Sequence, residues 1–236
     1  MPSLRPWNEI KIIDSGEALE EIPAKFKKLD PHPYLALGAP YGKYLGPWFL
    51  RSNVLLRLGQ AQIHLKQLNK NYKLAIFDAF RPVEVQAYMV NHVINQKCNE
   101  KKLDPADTTN SEYIQLVENV NNFWAAPSYD LTNPPPHSTG AAIDLTIADE
   151  LGPIDMGSDI DEIGDVACPH YFQKYKNKLA EFHLRRMLLK DVMLRSGFVQ
   201  HPNEWWHFSY GDQLWAWLTK SSYAIYGRCF AVPSNS

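Results

Sequence analysis

The sequence predicts an α+β fold with a small central antiparallel sheet flanked by helices. The main observation is the order of its elements: an irregular arm, a helix, a strand, two helices, a strand, a long helix and two closing strands. A second is bulk. The chain has 236 residues and is 45% hydrophobic, which suits one domain with a full core. A third is the absence of internal repeats and low-complexity segments, which sets aside solenoids and arrays.

Residues 1–30 read as an N-terminal arm, and residues 31–236 as a single domain. Within the arm, residues 15–28 have a helical look, but Pro23 interrupts it. Residues 30–47 are rich in Pro, Gly and Tyr, which favours loops and turns. From Trp48 the chain turns apolar, and Val54, Leu55 and Leu56 suit either a strand or the start of a helix. Ala61, His64, Leu65 and Leu68 fall at helical spacing, with His64 read as a core or boundary histidine. Leu74, Ala75, Ile76 and Phe77 make a buried strand over 73–79. Pro82 then suits the first turn of a helix over 83–96, striped by Val85, Met89, Val90, Val93 and Ile94. Arg81 therefore sits where a strand hands over to a helix, either presented as a functional group or paired with Asp78.

Residues 99–107 are polar and read as a loop, and 111–122 as a helix carrying Ile114, Val117 and Val120. The irregular stretch 121–136 ends in Pro134, Pro135 and Pro136, which stop any helix before His137. Residues 142–147 read as a strand. The acidic stretch 148–165 reads as a solvated loop without the ligand order of an EF-hand. Residues 171–196 form the best helix, with Tyr175, Leu179, Phe182, Met187, Leu188 and Val192 as its stripe and Gly197 as its stop. Phe198–Val199 and residues 205–210 read as two strands around the turn at Pro202 and Asn203. The tail, 215–236, is aromatic and then polar, and its end is expected to fray.

A net charge of −2 gives no basic field, so nucleic acid is not an expected partner. Three separated cysteines suggest neither a disulfide framework nor a Cys-rich metal site. No apolar run approaches the roughly 20 residues of a membrane span, and residues 1–14 lack the pattern of a signal peptide. The expectation is a cytoplasmic protein with no membrane partner, and nothing signals an oligomeric state.

The chemistry gathers in two stretches. His137 and Asp144 flank Gly140, followed by small Ala141 and Ala142, so a loop and the next strand can aim both side chains into one cleft. Glu204–Trp205–Trp206–His207 supplies a further imidazole and a free carboxylate. Hydrolytic zinc sites use three protein ligands and keep one position open. His137, Asp144 and His207 fit that donor set for one zinc ion per chain. Glu204 fits a general base and acid beside it, and Arg81 an oxyanion or substrate-carboxylate partner. Trp205 and Trp206 would wall the site. Each piece alone has an ordinary structural reading; their joint occurrence is what points to a site.

These segments resemble the D-alanyl-D-alanine dipeptidases of the VanX type, within the wider D,D-peptidase group related to hedgehog. Pro135-x-His137-x-x-Gly140-x-Ala142-x-Asp144 resembles that family's S-x-H-x-x-G-x-A-x-D. Glu204–Trp205–Trp206–His207 resembles its E-x-W-H-type signature, and Asp78 to Pro82 its D-G-Y-R-P. Met156–Gly157–Ser158-x-x-Asp161 resembles its M-G-S-x-x-D. The four segments occur in family order over roughly residues 50–210. The resemblance implies zinc on His137, Asp144 and His207, Glu204 as base and acid, and Arg81 on the tetrahedral intermediate. It implies Asp161 on the substrate's amino group, with Ser138 lining the same pocket. The implied fold is a small hedgehog-like α+β domain, and the implied substrate is the free dipeptide. Departures are Pro135 for the motif's first Ser, Ala79 for a Gly, and the added charge of Asp159. A carboxypeptidase or another cell-wall peptide hydrolase of the same fold, or a zinc-stabilised binding module, are the competing readings.

Overall fold

Asp144 and His207 lie directly opposite one another on neighbouring antiparallel strands at the centre of the fold. A computed structural model describes residues 5–42 and 45–230. The central sheet has five strands in the order β2–β4–β5–β7–β6. They are β2 (Lys27–Lys28), β4 (Lys73–Asp78), β5 (Ala142–Ala148), β6 (Val199–Gln200) and β7 (His207–Ser209). A separate antiparallel pair joins β1 (Leu19–Glu21) to β3 (Phe49–Arg51). The helices are α1 (Pro33–Ala36), α2 (Ser52–Leu68), α3 (Val83–Lys101), α4 (Ser111–Phe123), α5 (Ala180–Arg195) and α6 (Gln213–Thr219).

The α+β class holds, with one correction to the sheet. The edge strand β2 runs parallel to β4, so the sheet is mixed. The helical look of residues 15–28 also gives way to strands β1 and β2. Pro23 cannot continue a helix, and the freed segments pair instead with β3 and β4. Ile22 and Phe26 from this stretch are buried in the main core.

Strand β5 is buried at every position, because it is central and covered on both faces. Its period of two divides it cleanly. Ile143, Leu145 and Ile147 enter the main core beneath α2 and α5, alongside Leu58, Leu65, Leu189 and Val192. Each fully buried aliphatic side chain contributes about 1.5–3 kcal/mol, so this face fixes the register. Asp144 and Thr146 therefore point to the opposite face. On β7, Phe208 belongs to the core, and His207 and Ser209 point with Asp144. Strand β4 carries Leu74 and Ile76 into the core, and a register shift then occurs between Ile76 and Asp78. Ile76 pairs with Leu145, but Asp78 pairs with Asp144. The bulge turns Asp78 onto the polar face, where a regular strand would have buried it under α2.

A second core lies on that polar side. It joins Val85, Met89, Val90 and Ile94 of α3 to Leu116 and Val120 of α4, with Tyr34 of α1 and Tyr41. Helix α3 runs five residues beyond the expected end at 96, into the stretch read as a loop. Helix α5 begins at Ala180, later than residue 171, because Tyr171–Lys174 forms a separate 3-10 turn. Its buried positions are Arg186, Leu189, Val192 and Met193, so Met187 and Leu188 fall beside the stripe rather than on it. Strand β7 starts at His207, which leaves Trp205 and Trp206 in the turn before it. The expected fraying of the C-terminal end concerns residues 231–236, which lie outside the described residues.

Arg186 explains why α5 tolerates a guanidinium on its inner face. It is fully buried and donates to the carbonyls of Met156, Val166 and Cys168 and to Ser158 Oγ. The loop around Asp161 is thereby tied to a helix. Trp205 Nε1 donates to the same Ser158 oxygen at 2.9 Å, which ties that loop to the turn carrying Glu204.

Candidate active site

His137 reaches the polar face from a 3-10 turn, Pro136–Thr139, that the three prolines deliver and Gly140 ends. Gly140 has φ +70°, a left-handed conformation that calls for glycine, and a Cβ there would also press on the tip of Leu19. The turn feeds β5 directly, which brings His137 beside Asp144 at the strand's start.

Within this cluster, His137 Nε2 lies 3.2 Å from Asp144 Oδ2 and 3.2 Å from His207 Nδ1. His207 Nδ1 lies 3.0 Å from Asp144 Oδ1. The outer ring nitrogens have partners of their own. His137 Nδ1 meets the Ala79 carbonyl at 2.7 Å, an acceptor that places the proton on Nδ1. His207 Nε2 meets Ser209 Oγ at 3.2 Å. With protons on the outer nitrogens, both inner nitrogens face each other and a carboxylate with lone pairs. That arrangement suits a shared cation. Tetrahedral ligands at 2.0–2.1 Å from zinc stand about 3.3 Å apart, close to the separations found. All three residues are buried, and their donor atoms lie within 4.8 Å of one another.

Burial alone would raise the Asp144 carboxyl, but His137 and His207 outweigh it and hold it well below the usual range. Asp144 is thus an anion at any ordinary pH. Arg81 stands behind it. Its Nε donates to Asp78 Oδ2, its Nη1 to Gln86 Oε1, and its Nη2 to Tyr34 Oη and Asp144 Oδ2. Asp78 is held in turn by His32 at 2.9 Å and by the Tyr41 hydroxyl. Arg81 therefore pairs with Asp78 and also reaches the cluster through Asp144. Of its five N–H groups, one on Nη1 has no hydrogen-bond partner among the described residues.

Glu204 enters from the β6–β7 turn, with Oε2 at 3.7 Å from His207 Nδ1 and Oε1 at 3.8 Å from His201 Nδ1. Burial, reinforced by the charge of Asp144, pushes its carboxyl up to about 8. A cavity is lined by Glu204, His137, Asp144, His207, Arg81 and Asp161 among others. Asp161, with φ +67°, accepts a hydrogen bond from the Tyr34 hydroxyl at 2.7 Å. Burial and then Asp144 raise its carboxyl to about 7. Ser138 does not reach this cavity; its hydroxyl is buried and donates to the Pro135 carbonyl at 2.7 Å. Trp206 walls the cavity, whereas Trp205 is packed behind it.

Several residues of the site escaped sequence reading. Gln86 lies at a buried position of the α3 stripe, and an amide on an apolar face was a usable signal. Tyr34, Trp124 and His201 come from stretches without periodicity. Arg5 lines the cavity from the N-terminal arm.

The raised carboxyls have a measurable consequence for stability. A folded-state pKa of about 8 against an ordinary 4.5 means that the native Glu204 keeps its proton where the unfolded chain has lost it. Stability of the metal-free protein should therefore fall as pH rises from about 4.5 to 8. Metal-free Glu204→Gln should gain on the order of a few kcal/mol over wild type at pH 8.5, with the gap closing near pH 4.5. Thermal unfolding of chelator-treated protein across pH measures this, and a pH-independent gap would contradict the buried neutral carboxyl.

Two imidazoles, a buried carboxylate and a separate neutralisable carboxyl around one cavity define a site of the metallopeptidase class. The sequence profile described as D-ala-D-ala dipeptidase matches residues 28–230, and the chain belongs to that family of peptidases. A D-alanyl-D-alanine dipeptidase of Synechocystis sp. is 39% identical over 240 residues, covering 95% of this chain and 97% of that one. Another, from Escherichia coli, is 33% identical over 147 residues, or 62% of this chain and 58% of its own. The solved LdcB LD-carboxypeptidase is similar with a TM-score of 0.45 and 14% identity, over 90% of this chain and 76% of that one. No helix among the described residues is long and apolar enough to cross a membrane.

Proposed function

We propose that this chain is a zinc-dependent dipeptidase that hydrolyses D-alanyl-D-alanine to two molecules of D-alanine. The observation that carries the reading is the placement of Glu204 beside three inward-facing donors in one cavity. Similarity to a D-alanyl-D-alanine dipeptidase over nearly the whole chain supports the substrate. His137, Asp144 and His207 would hold the zinc. When bound, the zinc supplies Lewis-acid polarisation of the peptide carbonyl and a lowered pKa for water.

The remaining work falls to the chain's own groups. Glu204 takes a proton from the attacking water at a carboxylate oxygen and returns it to the leaving nitrogen. A carboxyl pushed upward by burial is a better base once ionised, and it reprotonates readily for the second transfer. The remaining N–H of Arg81, and its charge, stabilise negative charge developing on the carbonyl oxygen. Asp161, steadied by Tyr34, receives the substrate's ammonium group. Ser138 is given no role in this reading, because it does not line the cavity.

The distinguishing experiment compares free D-alanyl-D-alanine with its N-acetylated form. Because Asp161 requires an ammonium partner, release of D-alanine should be confined to the free dipeptide. Equal cleavage of the blocked peptide would point to a carboxypeptidase.

A further inference from the structure

The dipeptidase reading accounts for the substrate's ammonium group but leaves its carboxylate without a partner. Arg81 is held by Asp78, Gln86, Tyr34 and Asp144, and its one remaining N–H is assigned to the carbonyl oxygen. A second guanidinium reaches the same cavity. Arg5 lines it together with Glu204, His201 and Trp206. Its Nη2 is buried and has no hydrogen-bond partner among the described residues. A buried cationic donor without an acceptor is costly, and a ligand anion would satisfy it.

The arm holds Arg5 in that position. Its guanidinium lies over the Trp7 ring at 5.6 Å, and Trp7 meets His201 edge-on at 5.7 Å. Gln213 on α6 donates to the Ile10 carbonyl at 2.7 Å, and Ile12 bridges to Ala224. Residues 10–13 are thus moored to α6 and to the segment at Ala224. The same cavity is lined by Asp161, which Tyr34 holds, and by Arg5, which also faces the Glu204 carboxyl. A free dipeptide is a zwitterion with one charge at each end.

From this the geometry points to Arg5 as the group that receives the free C-terminal carboxylate of the substrate. It is a specificity residue contributed by the N-terminal arm, and it rests on the dipeptidase reading. The planar fork of arginine suits a carboxylate better than a lysine does.

The test uses the zinc-loaded full chain, as wild type, Arg5→Met and Arg5→Lys, with D-alanyl-D-alanine and its C-terminal amide as substrates. Expected for Arg5→Met is a KM for the dipeptide raised on the order of 100-fold with kcat little changed, the pattern of lost uniform binding. The kcat/KM for the amide should stay near wild type, because the amide has no carboxylate to lose. Arg5→Lys should fall between them and also serves if Arg5→Met does not fold, as judged by Tm and zinc content. An unchanged KM, or equal losses on dipeptide and amide, would overturn the assignment; equal losses would mean that Arg5 acts through Glu204. Wild-type protein that releases no D-alanine would instead remove the dipeptidase reading, and the assignment with it.

Discussion

Glu204→Gln should keep its zinc and lower kcat on D-alanyl-D-alanine by at least about 10³-fold. The amide is nearly isosteric and cannot accept or return the proton, so the loss reports the transfer itself. Glu204 Oε2 lies 3.7 Å from the nearest donor nitrogen, His207 Nδ1, which keeps it beside the cluster rather than within it. Metal content measured by elemental analysis should therefore match wild type. Turnover within tenfold of wild type would remove Glu204 from the proton path, and loss of metal would place it among the ligands.

The second large effect concerns His207. Replacing it with alanine removes one of the three donors and leaves His137 facing Asp144 without its cross-strand neighbour. His207→Ala should lose stoichiometric zinc after dialysis, and activity with it. Its fold should survive, because the neighbouring Phe208 and Trp205 remain to fill the core. Full occupancy together with normal circular dichroism would sink the assignment of His207 as a ligand.

Much of the site was legible because its residues stand in short, local frames. The proline run, Gly140 and the small residues before Asp144 describe a turn entering a strand, and the structure places His137 and Asp144 there. What was hidden depends on pairing. The register shift between Ile76 and Asp78 turns Asp78 to the polar face, and period-two reading assigns it to the other one. The parallel edge strand β2 is two residues long and lies in a stretch that reads as helix until β4 offers it partners. Arg186 takes a buried position outside the expected stripe because its partners are loop carbonyls, which carry no side-chain signature. Arg5 reaches the cavity only because α6 holds the arm, a contact spanning 203 positions of sequence between Gln213 and Ile10. Ser138 departs in the opposite sense. Its place in the motif suggested the pocket, but the tight 3-10 turn satisfies its hydroxyl on Pro135.

The most direct test joins metal content to turnover on one preparation. Zinc bound to the purified chain should be near one per molecule, and that protein should release two D-alanines per molecule of free D-alanyl-D-alanine consumed. Removal of the zinc by chelation should abolish release, and its return should restore it. Stoichiometric zinc with no D-alanine released would contradict the central claim and leave a metal-stabilised binding protein in its place.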